Sequence, residues 1–196
     1  MPKGKDNSTL IIDAARRLFL EHGYAATSMD VVAQQAGVSK ATVYALFESK
    51  DNLFAAMIER EGHQQLVALE ADALAPVGTV LREFATNAAT LLLSPSNVAL
   101  SRIVASEANR SPEIGRLFYA NGPAKLIGRL GDYMAVAMQR GELRSAPPEL
   151  AAAQFLAVIV ADLQLRLAMG FKPPTVRRRN EIVAAGVDVF LRGYVP

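Results

Sequence analysis

Apolar residues recur along this 196-residue chain at spacings of three and four, while the alternation of apolar and polar positions that marks strands is missing. The pattern predicts an all-α protein. Ile11, Ala14, Ala15, Leu18, Phe19 and His22 share one helical face, which stops at Gly23, where a left-handed C-terminal cap is expected. Thr27, with Asp30 three residues on, predicts a capping box that opens a short helix running to Ala36, and Gly37 ends it. Ser39 is placed to cap a third helix reaching about Phe47, and Ser49 a fourth whose first turn carries Asp51.

Ala75-Pro76-Val77-Gly78 then interrupts the pattern, and a second helical set follows. Ser94-Pro95 and Ser111-Pro112 each read as an N-cap followed by proline at the first helical position, where its missing N–H does no harm. The second of these starts reads as one long helix that closes at Arg140-Gly141-Glu142-Leu143 and Ala146-Pro147-Pro148. Lys172-Pro173-Pro174 separates the last two helices.

The segment from Thr27 to Lys50 carries the chemistry. Two short helices meet at Gly37, and Val32, Ala33, Ala36, Val38, Val43 and Phe47 close into one small core that sets their angle. The free face of the second helix then holds Lys40, Ala41, Thr42, Tyr44 and Ala45, a surface slim enough to enter a major groove. Helix starts at Thr27, Ser28 and Ser39 point backbone N–H groups outward toward phosphates, and Lys50 offers another phosphate contact. Taken singly, Tyr44 reads as an ordinary aromatic and Lys40 and Lys50 as solvated charges; the register of the whole segment turns the reading toward DNA.

In that register the sequence resembles the TetR family of bacterial regulators. The resemblance runs from Ile11 to Phe54 through Ala14-Ala15, Leu18-Phe19, Gly23-Tyr24, Thr27-Ser28, Val32-Ala33, Ala36-Gly37-Val38-Ser39-Lys40, Thr42, Tyr44, Phe47, Ser49-Lys50 and Leu53. It departs at Leu46, where many members carry His, Arg or Tyr. Beyond residue 75, Leu92-Leu93-Ser94-Pro95, Arg110-Ser111-Pro112-Glu113 and Arg140-Gly141-Glu142-Leu143-Arg144 look like an AefR-type C-terminal domain. The resemblance implies a three-helix helix-turn-helix domain over residues 1–52, joined by a linking helix to a ligand-binding and dimerisation domain over 53–196. It also implies a homodimer on a two-fold operator in double-stranded DNA, repression relieved by a small-molecule effector, and Thr27, Ser28, Lys40, Ala41, Thr42, Tyr44 and Lys50 at DNA-contact positions.

In the second domain the near-continuous apolar surface of Ala151, Phe155, Leu156, Val158, Ile159, Val160, Leu163 and Leu167 predicts a helix covered on several sides. Ile182, Val183, Gly186, Val187, Phe190 and Leu191 form a stripe on the last helix, so these two helices are expected to pair with their copies in a dimer, the alternative being that the stripes pack inside one subunit. Phe84, Asn87, Leu91, Ile103, Glu107, Phe118, Tyr119, Met134, Met138 and Gln164 mix aromatic, flexible and polar groups and are the candidate lining of a small, largely apolar effector's pocket.

Composition changes this picture little. The net charge is only +2, and residues 1–50 hold six Lys or Arg against five Asp or Glu, so affinity for DNA rests on arrangement. Cysteine is absent and the two histidines stand too far apart for a helical metal pair, so no cofactor is expected. The apolar run from Leu150 to Met169 is interrupted by Gln154, Asp162, Gln164 and Arg166 and reads as a buried helix, and no secretory signal opens the chain; a cytoplasmic protein off the membrane is expected. No nucleophile stands beside a positioned base, so an enzyme ranks below both a repressor and a small-molecule-binding helical protein that does not bind DNA.

Overall fold

The computed structural model describes residues 6–70 and 75–196, with side chains for all of them except 61–70. Among the described residues it holds ten helices and no strand: α1 (Asn7–Ala26), α2 (Met29–Ala36), α3 (Lys40–Phe47), α4 (Lys50–Glu70), α5 (Val77–Leu92), α6 (Pro95–Ala108), α7 (Pro112–Asn121), α8 (Pro123–Gln139), α9 (Pro148–Ala168) and α10 (Val176–Tyr194).

Local chemistry accounts for several of the boundaries, although Ser111 makes no side-chain bond at the start of α7. The Asp6 carboxylate accepts from the amides of Ser8 and Thr9 to start α1. The Ser39 hydroxyl oxygen accepts from the Thr42 amide to start α3, and Ser49 does the same for Asn52 in α4. Gly37 ends α2 in the left-handed region, φ 70° and ψ 30°. Three boundaries differ from the sequence reading. Gly23 has φ 80° and ψ 170°, so it kinks α1 rather than capping it, and the helix resumes to Ala26. Ser28, not Thr27, caps α2, its oxygen accepting from the Val31 amide. The expected long helix from Pro112 is two: α7 stops at Gly122, where a Cβ would lie 3.0 Å from Ile58 Cγ2, and proline 123 opens α8.

By packing, the chain forms two compact units, residues up to Arg60 with Ala99–Gly122, and Glu61–Val98 with Pro123–Pro196. In the first, α1 to α4 bury Ile11, Phe19, Val43, Leu53 and Phe54 together with Leu100 and Val104 of α6 and Ile114 of α7. Phe19, Tyr24 and Phe54 form an aromatic cluster with centroids 5.2 to 5.5 Å apart, and an Arg60–Asp13 ion pair of 2.5 Å ties α4 to α1. A linear division at residue 52 therefore differs from the packing, because the apolar stripe of residues 99–122 is buried against the N-terminal helices. The division of labour into 1–52 and 53–196 stands as a proposal about function.

In the second unit α5, α8, α9 and α10 enclose Phe84, Leu130, Met134, Phe155, Ile159 and Val187, all fully buried. The rings of Phe84, Phe155, Phe190 and Tyr194 follow one another at 4.3 to 6.2 Å. An Arg82–Asp188 ion pair of 2.7 Å joins α5 to α10. Helix α9 is long and apolar enough to cross a membrane; one side of it, with Ala151, Phe155 and Ile159, has no exposed surface and packs into the core, and the other side is exposed.

Candidate nucleic-acid interface

Val43 and Phe47 are buried and fasten α3 to α2, which turns the opposite side of α3 to solvent. There Lys40, Ala41 and Ala45 are exposed, Tyr44 keeps 48% of its surface free, and Thr42 is half-buried. The Ser39 and Thr42 hydroxyl oxygens lie 2.8 Å apart, so one donates to the other and the second keeps its own O–H hydrogen for a further partner at the start of α3. The Lys40 ammonium pairs with Asp30 of α2 at 2.5 Å, and both side chains are more than half exposed. Leu46, where the sequence departs from the family pattern, is 48% exposed. Ser28 is exposed at the start of α2.

Two residues expected at phosphates have other partners. Thr27 is 3% exposed and its hydroxyl donates to the Gly23 carbonyl oxygen at 2.9 Å, so its side chain holds the turn between α1 and α2. The half-buried Lys50 ammonium donates to the carbonyl oxygens of Tyr24 and Thr27 at 2.9 and 3.1 Å and stands 4.3 Å from the Tyr24 ring centre. It neutralises the end of α1, where carbonyls lack helical partners. The Tyr24 hydroxyl donates to Asp51, and its pKa is pushed up first by burial, then by that bond and by the charges of Asp51 and Glu107. Asp51 and Tyr24 were invisible as a pair in the sequence, 27 positions apart.

The ten candidate pocket residues fall into both units. Ile103, Glu107, Phe118 and Tyr119 belong to the first, where the Glu107 carboxylate accepts from the amides of Tyr24 and Ala25 and Tyr119 is 57% exposed. Phe84, Asn87, Leu91, Met134, Met138 and Gln164 belong to the second, where Phe84 and Met134 are sealed in the core and the other four are half-buried. A cleft of about 490 Å³ in the second unit lies instead at the turn from α9 to α10, floored by Leu163, Leu167, Phe171 and Ile182 and rimmed by Arg166, Lys172 and Arg178. None of the ten lines it.

Comparison with known proteins places this geometry. Residues 11–57 match the family of bacterial regulatory proteins, tetR family, and residues 79–196 match the AefR-like transcriptional repressor C-terminal domain. The chain is similar over its full length to the flavonoid-responsive regulator FrrA, 37% identical, with 97% of each chain covered and a TM-score of 0.74. It is also similar to a TetR transcriptional regulator from Agrobacterium tumefaciens, 25% identical over 97% of this chain and 95% of that one, with a TM-score of 0.76. Among curated proteins it is 47% identical over 49 residues to the HTH-type transcriptional regulator YhgD of Bacillus subtilis. It is 25% identical over 180 residues, 90% of either chain, to the HTH-type transcriptional repressor Rv1474c of Mycobacterium tuberculosis. Against the first curated relatives it matches, the chain spans only 26% to 45% of their length.

Proposed function

The chain belongs to the TetR family of bacterial regulators, and on that premise we propose that it is a dimeric, ligand-responsive repressor that reads a two-fold symmetric operator with α3. The observation that carries the reading is the fixed outward face of α3, held by Val43 and Phe47 beneath Tyr44 and Thr42. In this reading Ser28 and Ser39 offer backbone N–H groups to phosphates, Lys40, Ala41, Thr42 and Tyr44 meet the groove, and Thr27 and Lys50 hold the frame behind them.

The dimer is proposed through α9 and α10, but not through the stripes the sequence singled out, since Phe155, Ile159, Leu163, Val183, Val187 and Phe190 are buried inside the second unit. Along the outer side of α9, Leu150, Ala157, Val158, Ala161, Leu165 and Ala168 recur at helical spacing and are all exposed, with Gln154 the one polar group in the stripe. Such a stripe in one copy matches itself in a second under two-fold symmetry. For the effector, the half-buried Asn87, Leu91, Met138 and Gln164 of the second unit are the proposed contacts, and the likeness to a flavonoid-responsive regulator supports an aromatic, largely apolar molecule. Release requires that the effector bind the DNA-free form more tightly. We assign the protein to the cytoplasm, where chromosomal DNA lies.

The test is selection of binding sites from randomised duplex DNA, followed by titration of Tyr44→Ala and Thr42→Ala on the selected site. Each is expected to weaken binding by roughly five- to 150-fold, the range for a lost base contact, at unchanged thermal stability. Equal affinity across wild type and both variants would favour a helical small-molecule binder without DNA recognition.

A further inference from the structure

We infer that Glu107 is a positioning residue for the DNA-reading helices: its carboxylate, near the end of α6, clamps the break in α1 that leads into α2. The inference rests on the operator-binding reading above.

At Gly23 the backbone leaves helical geometry, and the two amides that follow donate to one carboxylate, Tyr24 to Glu107 Oε1 at 2.8 Å and Ala25 to Oε2 at 3.2 Å. Both oxygens are used, so the side chain is gripped as a plane rather than at a point. Bonds from amides to a charged acceptor are stronger than those between neutral groups. The fit is close, since a Cβ at position 23 would lie 2.5 Å from Glu107 Oε1. Glycine is favoured there by its φ of 80°, and a larger residue would also displace the Glu107 carboxylate from the two amides.

From the clamp the connection to the DNA-facing groups is short. The Thr27 hydroxyl returns to the Gly23 carbonyl oxygen, Ser28 follows as the cap of α2, and Asp30 of α2 pairs with Lys40 of α3. Holding Tyr24 and Ala25 thus sets where the first turn of α2 starts. The residue that holds them is carried by α6, which begins in the second unit at Pro95 and enters the first at Ala99. Operator affinity is in this way tied to the position of a helix outside the helix-turn-helix.

The experiment follows amide hydrogen exchange by NMR in the full-length protein and affinity for the DNA site selected as above, in wild type, Glu107→Ala and Glu107→Gln. Alanine should cost Tyr24 and Ala25 roughly ten- to 100-fold in protection while Leu18 and Phe54 keep theirs, and weaken DNA binding about tenfold. Glutamine keeps one carbonyl acceptor and should fall between on both readouts; it also carries the test if the alanine variant does not fold. Unchanged protection at Tyr24 and Ala25 overturns the clamp, and lost protection with unchanged DNA affinity overturns its positioning role. A wild type that binds no DNA overturns the operator reading instead, and the exchange data then still report on the clamp.

Discussion

The Lys50 ammonium lies 4.3 Å from the centre of the Tyr24 ring and donates to the carbonyl oxygen of the same residue at 2.9 Å. One cation thus closes the end of α1 through both the face of a ring and the backbone that carries it. Replacing Lys50 by methionine keeps the stem and removes the charge, and is expected to cost about 1 to 3 kcal/mol in urea unfolding. The salt dependence of DNA binding should stay as in wild type. If Lys50 neutralised a phosphate in each of two subunits, its loss would flatten the log-log slope by roughly 2.

Tyr24 makes the first unit sensitive to alkali. Burial, the bond to Asp51 and the neighbouring carboxylates hold its proton in the folded state beyond the ordinary phenol value of 10.0. The unfolded chain releases that proton near pH 10, so the contribution is whole below pH 10 and is lost as pH rises above it. Unfolding free energy measured across this range should fall more steeply in wild type than in Tyr24→Phe. Equal slopes would remove Tyr24 as the cause.

Gly186 permits the close approach of the last two helices. A Cβ there would lie 2.5 Å from the Val158 carbonyl oxygen, and a backbone atom cannot move aside by changing rotamer. Gly186→Ala is expected to cost roughly 1 to 3 kcal/mol and to lower Tm by roughly 2 to 12 °C. Gly128→Ala, whose Cβ would meet nothing within 4 Å beyond the adjoining backbone of its own helix, is the control and should hold or raise Tm.

The exposed stripe of α9 gives the dimer a direct test. Leu165 is 61% exposed, so Leu165→Glu places a charge on the proposed interface without entering the core. Sedimentation is expected to shift from a dimer to the 21.1 kDa monomer, with loss of cooperative binding to the two half-sites. An unchanged dimer would move the interface elsewhere.

What the sequence determined by itself lies within a few residues of its cause. Ser39 and Ser49 start α3 and α4 because a hydroxyl oxygen reaches an amide three positions on, and Gly37 ends α2 because glycine accepts positive φ without strain. The apolar spacing of Val43 and Phe47 named the inner side of α3, and with it the outward side bearing Tyr44. Tertiary structure alone decided the partners of groups whose chemistry is locally ambiguous. A lysine serves a phosphate or a helix end equally well, and Lys50 goes to the carbonyls of Tyr24 and Thr27. A glutamate reads as a pocket residue until an amide 83 positions away claims it, as Tyr24 claims Glu107. Periodicity likewise shows that residues 99–122 have an apolar side but not which core will bury it, because helical spacing encodes a face and carries no address for what the face meets.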